Sequence, residues 1–420
     1  MSVSARTQRE LCGGPNMKPG DLDLCDLSHF DGGVPHDYLR VLRQQAPVHW
    51  NPEPDGPGFW AITRYDDLIH VSRTPKVFSS WLGGTNIPDH PPEELEQMRT
   101  MMLNMDPPQH VKYRRLVQRG FTPRMVGRLE PRIREAARQV VDAVAQKGEC
   151  DFVSELASPL PLILICELMG VPPEDRDRIF DWSNRLIGFD DPEFAGSPDE
   201  GKQAAAEMWL YAHGLANQKR EDPDDTLISK LVNGEVDGEK LTELEFNNFF
   251  LLLAVAGNET TRTVTSHGMR LLHEHPEQRD LLLSDVDRFL PGAIEEIVRF
   301  NPPVIYFRRT VTEPTEVRGV SMDRGTKVAM FYPSANRDED VFLDPDRFDI
   351  TRDPNPHVSF GIGEHYCLGA NFARMQLRCI FREILNRLPD IELCGEVTRL
   401  RGNFVDGIKS MPVRFSPESV

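Results

Sequence analysis

The chain has 420 residues, 39% hydrophobic and 27% charged, so it has the make-up of a globular protein able to bury a large core, and not that of a disordered or fibrous one. A formal net charge of −18 argues against a nucleic-acid binder, which needs a concentrated basic surface. The most apolar runs, Leu160 to Val171 and Phe249 to Val255, fall short of the roughly 20 residues of a bilayer crossing, so no membrane span is expected.

Residues 1–20 lack the apolar centre of a signal peptide and read as a frayed N-terminal arm of a cytoplasmic protein. Seven scattered cysteines without a CxxC pair predict neither a disulfide framework nor a zinc site. Residues 21–420 show no linker and read as one domain, mainly α with small β-sheets. A helix is expected near Asp37 to Gln45, then strands at Pro47 to Trp50 and Gly58 to Thr63, and a helix from Tyr65. Glycines and prolines make Trp81 to Pro92 a long irregular loop of the kind that covers a site. Helices follow from about Pro107, Arg124, Leu156, Pro173 and Ala204. Thr242 and Glu245 form a capping box at the head of a helix to His273, roughly 45 Å long. The next helix, Asp285 to Arg299, stops before Pro302 and Pro303. Short strands over Val304 to Phe331, an irregular Pro- and Asp-rich stretch to Pro356, and a last helix to Leu388 complete the chain.

The segment Phe360-Gly361-Ile362-Gly363-Glu364-His365-Tyr366-Cys367-Leu368-Gly369 carries the chemistry. Two glycines permit a tight turn and close approach to a flat ligand, and the third lets the following helix pack closely. Cys367 stands at a helix start, where free N–H groups and the dipole favour a thiolate. A lone cysteine is more often a buried structural thiol. This pattern, however, resembles the haem-binding loop of the cytochromes P450.

The resemblance implies haem b as cofactor, with Cys367 the iron ligand and Phe360, Gly361 and Gly369 around it. Ala256-Gly257-Asn258-Glu259-Thr260-Thr261 resembles the oxygen-activation motif, with Ala256 facing the haem, Thr260 passing protons and Glu259 linking it to solvent. The bland alternative for Thr260 is a hydroxyl bonded back to its own helix. Glu296 and Arg299 look like the ExxR element, completed by Arg347, which scaffolds the cysteine loop. His110, Arg114, Arg309 and His365 match the donors that balance the propionates. Electrons are expected from a separate ferredoxin and its reductase, steered by a basic patch of Lys112, Arg115, Arg374 and Arg378. O2 and an apolar small molecule are the expected substrates. Phrases such as Phe121-Thr122-Pro123-Arg124 are similar to those of actinobacterial steroid side-chain and branched-lipid hydroxylases. The candidate wall comprises Trp81 to Met102, Leu252, Ala256, Val304 to Tyr306, Phe404 and Val405. A terpenoid or aromatic substrate stays open, since Trp81, Tyr306 and Phe404 are bulky. Rival classes are a peroxygenase, which needs no proton relay, and a non-catalytic haem sensor.

Overall fold

A computed structural model describes residues 17–194, 197–235, 238 and 240–418, so most of the expected N-terminal arm lies outside the described residues. The early elements form as α1 (His36–Gln45), β1 (Val48–Asn51), β2 (Phe59–Ile62) and α2 (Tyr65–Arg73). After β3 (Phe78–Ser79) the chain runs irregularly to α3 (Pro92–Met98), as its glycines and prolines dictate. There follow α4 (Gln109–Val117), α5 (Pro123–Asp142), β4 (Glu149–Asp151), α6 (Pro159–Met169), α7 (Arg176–Ile187), α8 (Pro198–Glu221) and α9 (Leu227–Asn233). Periodicity predicts neither β4 nor α9. One is too short to show alternation, and the other is two turns held by the Thr226 cap on Ser229 N.

The long helix α10 (Glu243–Glu274) starts at the expected capping box, and its 32 residues span about 48 Å. Then come α11 (Pro276–Ser284), α12 (Val286–Phe300), β5 (Tyr306–Val311), β6 (Thr315–Val317), β7 (Val320–Met322), β8 (Lys327–Phe331) and the single turn α13 (Tyr332–Ala335). The last helix, α14 (Ala370–Arg387), precedes β9 (Glu392–Leu393), β10 (Thr398–Arg399), β11 (Ile408–Ser410) and β12 (Pro412–Arg414). The main sheet has the order β1-β2-β8-β5-β3, with β2 and β8 parallel and the other pairs antiparallel. Among the described residues no helix is long and apolar enough to cross a membrane.

The main core gathers around α10, which packs on α6, α8, α12 and α14. Two glycines allow these approaches. A Cβ on Gly257 would lie 2.8 Å from Ile165 Cδ1 of α6, and one on Gly268 would lie 2.5 Å from Phe381 Cζ and 3.0 Å from Ile297 Cδ1. The roughly 1 kcal/mol that each glycine costs mid-helix is set against this close packing of three helices. If packing rules, Gly268→Ala destabilises the protein by about 1–3 kcal/mol in urea unfolding. Helix propensity alone would instead raise stability by about 1 kcal/mol.

Candidate active site

Glu296 and Arg299 lie three apart on α12, both with 0% side-chain exposure, joined by two hydrogen bonds of 2.8 Å. Buried charges need every lone pair and proton satisfied. Arg299 also donates to the main-chain oxygens of Asn336, Pro345 and Arg347, and Glu296 accepts from Asp349 N and Asn355 Nδ2. The third cation is Arg352, whose Nε lies 3.2 Å from Glu296 Oε2. Arg347, the partner expected from sequence, contributes only its carbonyl. Its side chain is 64% exposed and its nearest carboxylate oxygen is Asp349 at 3.9 Å. Both arginines occur in one irregular stretch, and only the path of the backbone decides which one turns inward.

From this hub Asn336 accepts Val358 N at 2.8 Å and donates to Ser359, which in turn bonds Val298 O at 2.7 Å, so the cysteine loop enters tied to the end of α12. Gly361 and Gly363 have φ of 70° and 74°, where a side chain is strained, and a Cβ on Gly363 would lie 2.9 Å from Ser72 O. Cys367 N then closes the loop on Phe360 O at 2.7 Å. Gly369 differs from expectation: its φ is ordinary, and a Cβ there would meet nothing within 4 Å. Its observed role is an N–H donated to the Cys367 sulfur. Burial pushes the partly exposed Cys367 thiol up, while the Gly369 N–H, Arg114 and Arg374 pull it down. Burial is thus the larger influence on this thiol, and a bound metal cation would favour the thiolate.

Beside the loop four basic side chains converge. The rings of His110 and His365 stand 4.2 Å apart, and Arg114 donates to Glu364 O and to Tyr366 O at 2.7 Å. Arg309, 5% exposed, bonds Arg308 O, and among the described residues neither Arg114 nor Arg309 meets a carboxylate within ion-pair distance. Burial pushes His110 down to about 4 and takes His365 well below its usual value, with the arginines adding to both shifts. Asp106 is felt by Arg309, but its oxygens are held by Ser79 and by Ser80 N. The buried His110 Nδ1 has no partner among the described residues. Two arginines without a carboxylate partner among the described residues, beside two histidines and a partly exposed cysteine, fit a flat dianionic cofactor with a metal centre.

On α10 Ala256 is exposed although its helix is interior, and Thr260 Oγ1 donates to Ala256 O at 2.9 Å. The back-bonded geometry is thus the observed one, and it leaves the lone pairs of the hydroxyl free to accept. Glu259 does not reach solvent. It is 1% exposed and pairs with Arg262, whose Nη1 bonds Asn184 Oδ1 of α7 at 2.9 Å.

Of the candidate wall, Val304 and Ile305 are brought together with Phe404 and Val405. Val304 forms a bridge with Val405, and Ile305 N donates to Phe404 O at 2.8 Å. Tyr306 departs from the expected wall: it is 3% exposed and packed between Phe331 and Phe404, so it does not narrow a channel. Trp81 lies under Arg99, which bonds its carbonyl. Sequence reading missed what pins the loop after Trp81. Arg308 and Lys327, both buried, hold Ile87 O and the Asp89 carboxylate. Arg308 within the strand Tyr306–Val311 and Lys327 at the head of Lys327–Phe331 were the available signal. Arg374 leaves the expected basic patch, because Glu295 takes its Nε and Nη2 at 2.7 and 2.8 Å and its guanidinium stacks on Phe360. Arg115 and Arg378 are exposed.

Comparison with known proteins decides the family. A family model described as Cytochrome P450 matches residues 202–396. Over 414 residues the chain is 44% identical to a methyl-branched lipid omega-hydroxylase of Mycobacterium tuberculosis, covering 96% of each. The chain belongs to the cytochrome P450 family. A steroid C26-monooxygenase of Rhodococcus jostii is 40% identical over 415 residues, 96% of this chain and 87% of the relative. The structure of a Mycobacterium marinum cytochrome P450 in complex with pseudoionone superposes with a TM-score of 0.89 at 40% identity, covering 96% of this chain and 100% of that one. This P450 is therefore a haem b monooxygenase that uses O2 on an apolar substrate.

The hub separates the two arginines experimentally. Arg352→Ala removes charged hydrogen bonds to a buried carboxylate and costs about 1.5–3 kcal/mol of stability. Arg347→Ala, which keeps the carbonyl, stays within about 0.5 kcal/mol. Denaturant midpoints of the two variants, with haem retention as a second readout, check the order.

Proposed function

We propose that this P450 hydroxylates the end of a branched alkyl chain, on a lipid or a steroid side chain, with electrons from a ferredoxin and its reductase. The bridged pair of wall segments, Val304 with Val405 and Phe404 over Ile305, carries the reading. An apolar wall gains affinity by removing hydrocarbon from water, about 25 cal/mol per Å² buried, which favours long or polycyclic molecules. The branched-lipid and steroid hydroxylases among the relatives support the same class.

Cys367 would hold the iron, His110, Arg114, Arg309 and His365 would hold the propionates, and Phe360, Gly361, Gly369 and Ala256 would border the haem. The thiolate-ligated haem supplies O2 activation and insertion of one oxygen atom into a C–H bond. Thr260 works from the other side. Its hydroxyl hydrogen rests on Ala256 O and its lone pairs are free to accept, so rotation of the hydroxyl would turn the hydrogen into the groove. Glu259 passes a proton to this site only after leaving Arg262, which makes that ion pair a gate. On the cysteine side, exposed Arg115 and Arg378 offer positive charge to an acidic ferredoxin.

Thr260→Ala is expected to retain haem and to consume reducing equivalents, but to divert them to peroxide or water, with product per electron falling about tenfold or more. Unchanged coupling excludes the proton role. A second substrate reading has its own observation, the pseudoionone held by the solved relative. Titrating the haem spectrum with isopalmitic acid, cholesterol, pseudoionone and coumaric acid separates the two. The lipid reading predicts that at least one of the first pair binds about tenfold tighter, or about 1.4 kcal/mol. Binding confined to the second pair contradicts it.

A further inference from the structure

We infer that Asp406, bonded to the buried ring of His267, fixes the C-terminal part of the site wall against α10 and is a positioning residue for bulky ligands over the haem. His267 follows Thr260 by seven residues and Ala256 by eleven, so all three lie on one face of α10, about two and three turns apart. Whatever is bonded to His267 is therefore set at a fixed distance along the face that carries the oxygen-side groove.

The protonation of His267 follows from its neighbours. Its Nε2 lies 2.6 Å from the main-chain oxygen of Asp406, which only accepts, so Nε2 carries the hydrogen. Nδ1 is then an acceptor, and Arg270 donates to it from Nε and Nη2 at 3.4 and 3.3 Å. The ring is neutral, in keeping with burial that pushes it down to about 4. The Asp406 carboxylate takes Arg399 Nη1 at 2.9 Å on one oxygen and Asn301 Nδ2 at 3.1 Å on the other. Arg270 reaches Asn301 Oδ1 at 3.1 Å, and Asp406 N donates to Pro303 O at 3.0 Å. One knot thus joins α10, the turn between α12 and β5, and the segment before β11.

The wall hangs directly from this knot. One residue before Asp406, Val405 bridges to Val304, and one further back the Phe404 carbonyl holds Ile305 N. Along these two strips Ile305 and Val405 are buried, whereas Val304 and Phe404 keep accessible surface, the Phe404 ring packing against Tyr306 and Phe307. Loss of the Asp406 carboxylate leaves Arg399 without its partner and Asn301 with an unpaired amide, so the knot loosens where the two strips meet. A loosened strip moves the Phe404 ring and the Val304 side chain. Cys367, His110, Arg114 and His365 are on other elements, and Arg309 is held in the ladder of β5 with β8, so these residues are expected to stay in place.

The test uses the haem-loaded enzyme and two haem-ligating probes, so it is independent of the substrate reading. Imidazole needs only access to the iron, whereas clotrimazole presses its aryl groups on the wall. In Asp406→Ala, clotrimazole affinity should fall about tenfold while imidazole affinity and the carbon monoxide band stay as in wild type. The main-chain bond to His267 is present in both variants, and Asp406→Asn also keeps a side-chain oxygen acceptor, so it should restore most of the loss. Asn301→Ala, which removes a single donor, should show a smaller change of the same kind and serves if Asp406→Ala loses haem. Wild-type clotrimazole affinity in folded Asp406→Ala, equal loss for both probes, or no selective change in Asn301→Ala would each overturn the assignment.

Discussion

Two charges with no contact with water, Glu296 and Arg299, set the course of the chain that carries Cys367. Stripping an ion pair of water costs several kcal/mol per ion and is repaid only when the remaining lone pairs and protons are also bonded. Here the repayment comes from backbone. Carbonyls of Asn336, Pro345 and Arg347 and the N–H of Asp349 converge on the pair, and Arg352 closes the carboxylate side while bonding Leu343 O and Asp344 O. A stretch between α13 and the cysteine loop that contains almost no regular structure is thereby folded around two side chains. Its exit, Val358 and Ser359, is pinned to Asn336 and to the end of α12. The position of Cys367 relative to α10 follows from that.

The buried charges of the hub are fully hydrogen-bonded, and the neighbouring site lacks anions. Arg114 and Arg309 have backbone partners but no carboxylate among the described residues, and His110 and His365 are driven toward neutrality by burial and by these arginines. Burial also opposes ionisation of Cys367. The two features are complementary: the cluster lacks anions, and the arginines near Cys367 oppose but do not outweigh the effect of its burial. One molecule carrying two carboxylates at its edge and a metal at its centre meets both, and haem b has that distribution of charge. On this account cofactor binding supplies part of the stability of the site.

Much of this was legible in the sequence because its determinants are local. The capping box Thr242/Glu245, the Pro302-Pro303 stop and the positive-φ glycines of the cysteine loop act within a few residues, and each is found where expected. What was not legible depends on contacts distant along the chain. Whether Arg347 or Arg352 turns toward Glu296 is decided by a backbone path with no periodicity. The pairing of Arg374 with Glu295 and of Glu259 with Arg262 depends on how helices rotate against one another, and so does the enclosure of Tyr306 by Phe331 and Phe404. Residue type announced the chemistry, and side-chain direction awaited the fold.

The central claim is that the hub-held loop presents Cys367 sulfur to the iron of a bound haem. X-ray absorption at the iron edge of the purified holoenzyme, compared with Cys367→Ala loaded with haem, reads the first coordination shell directly. One sulfur scatterer in the wild type that disappears in the variant is the predicted result. A shell of nitrogen and oxygen alone in the wild type, or a sulfur that persists in the variant, would contradict it.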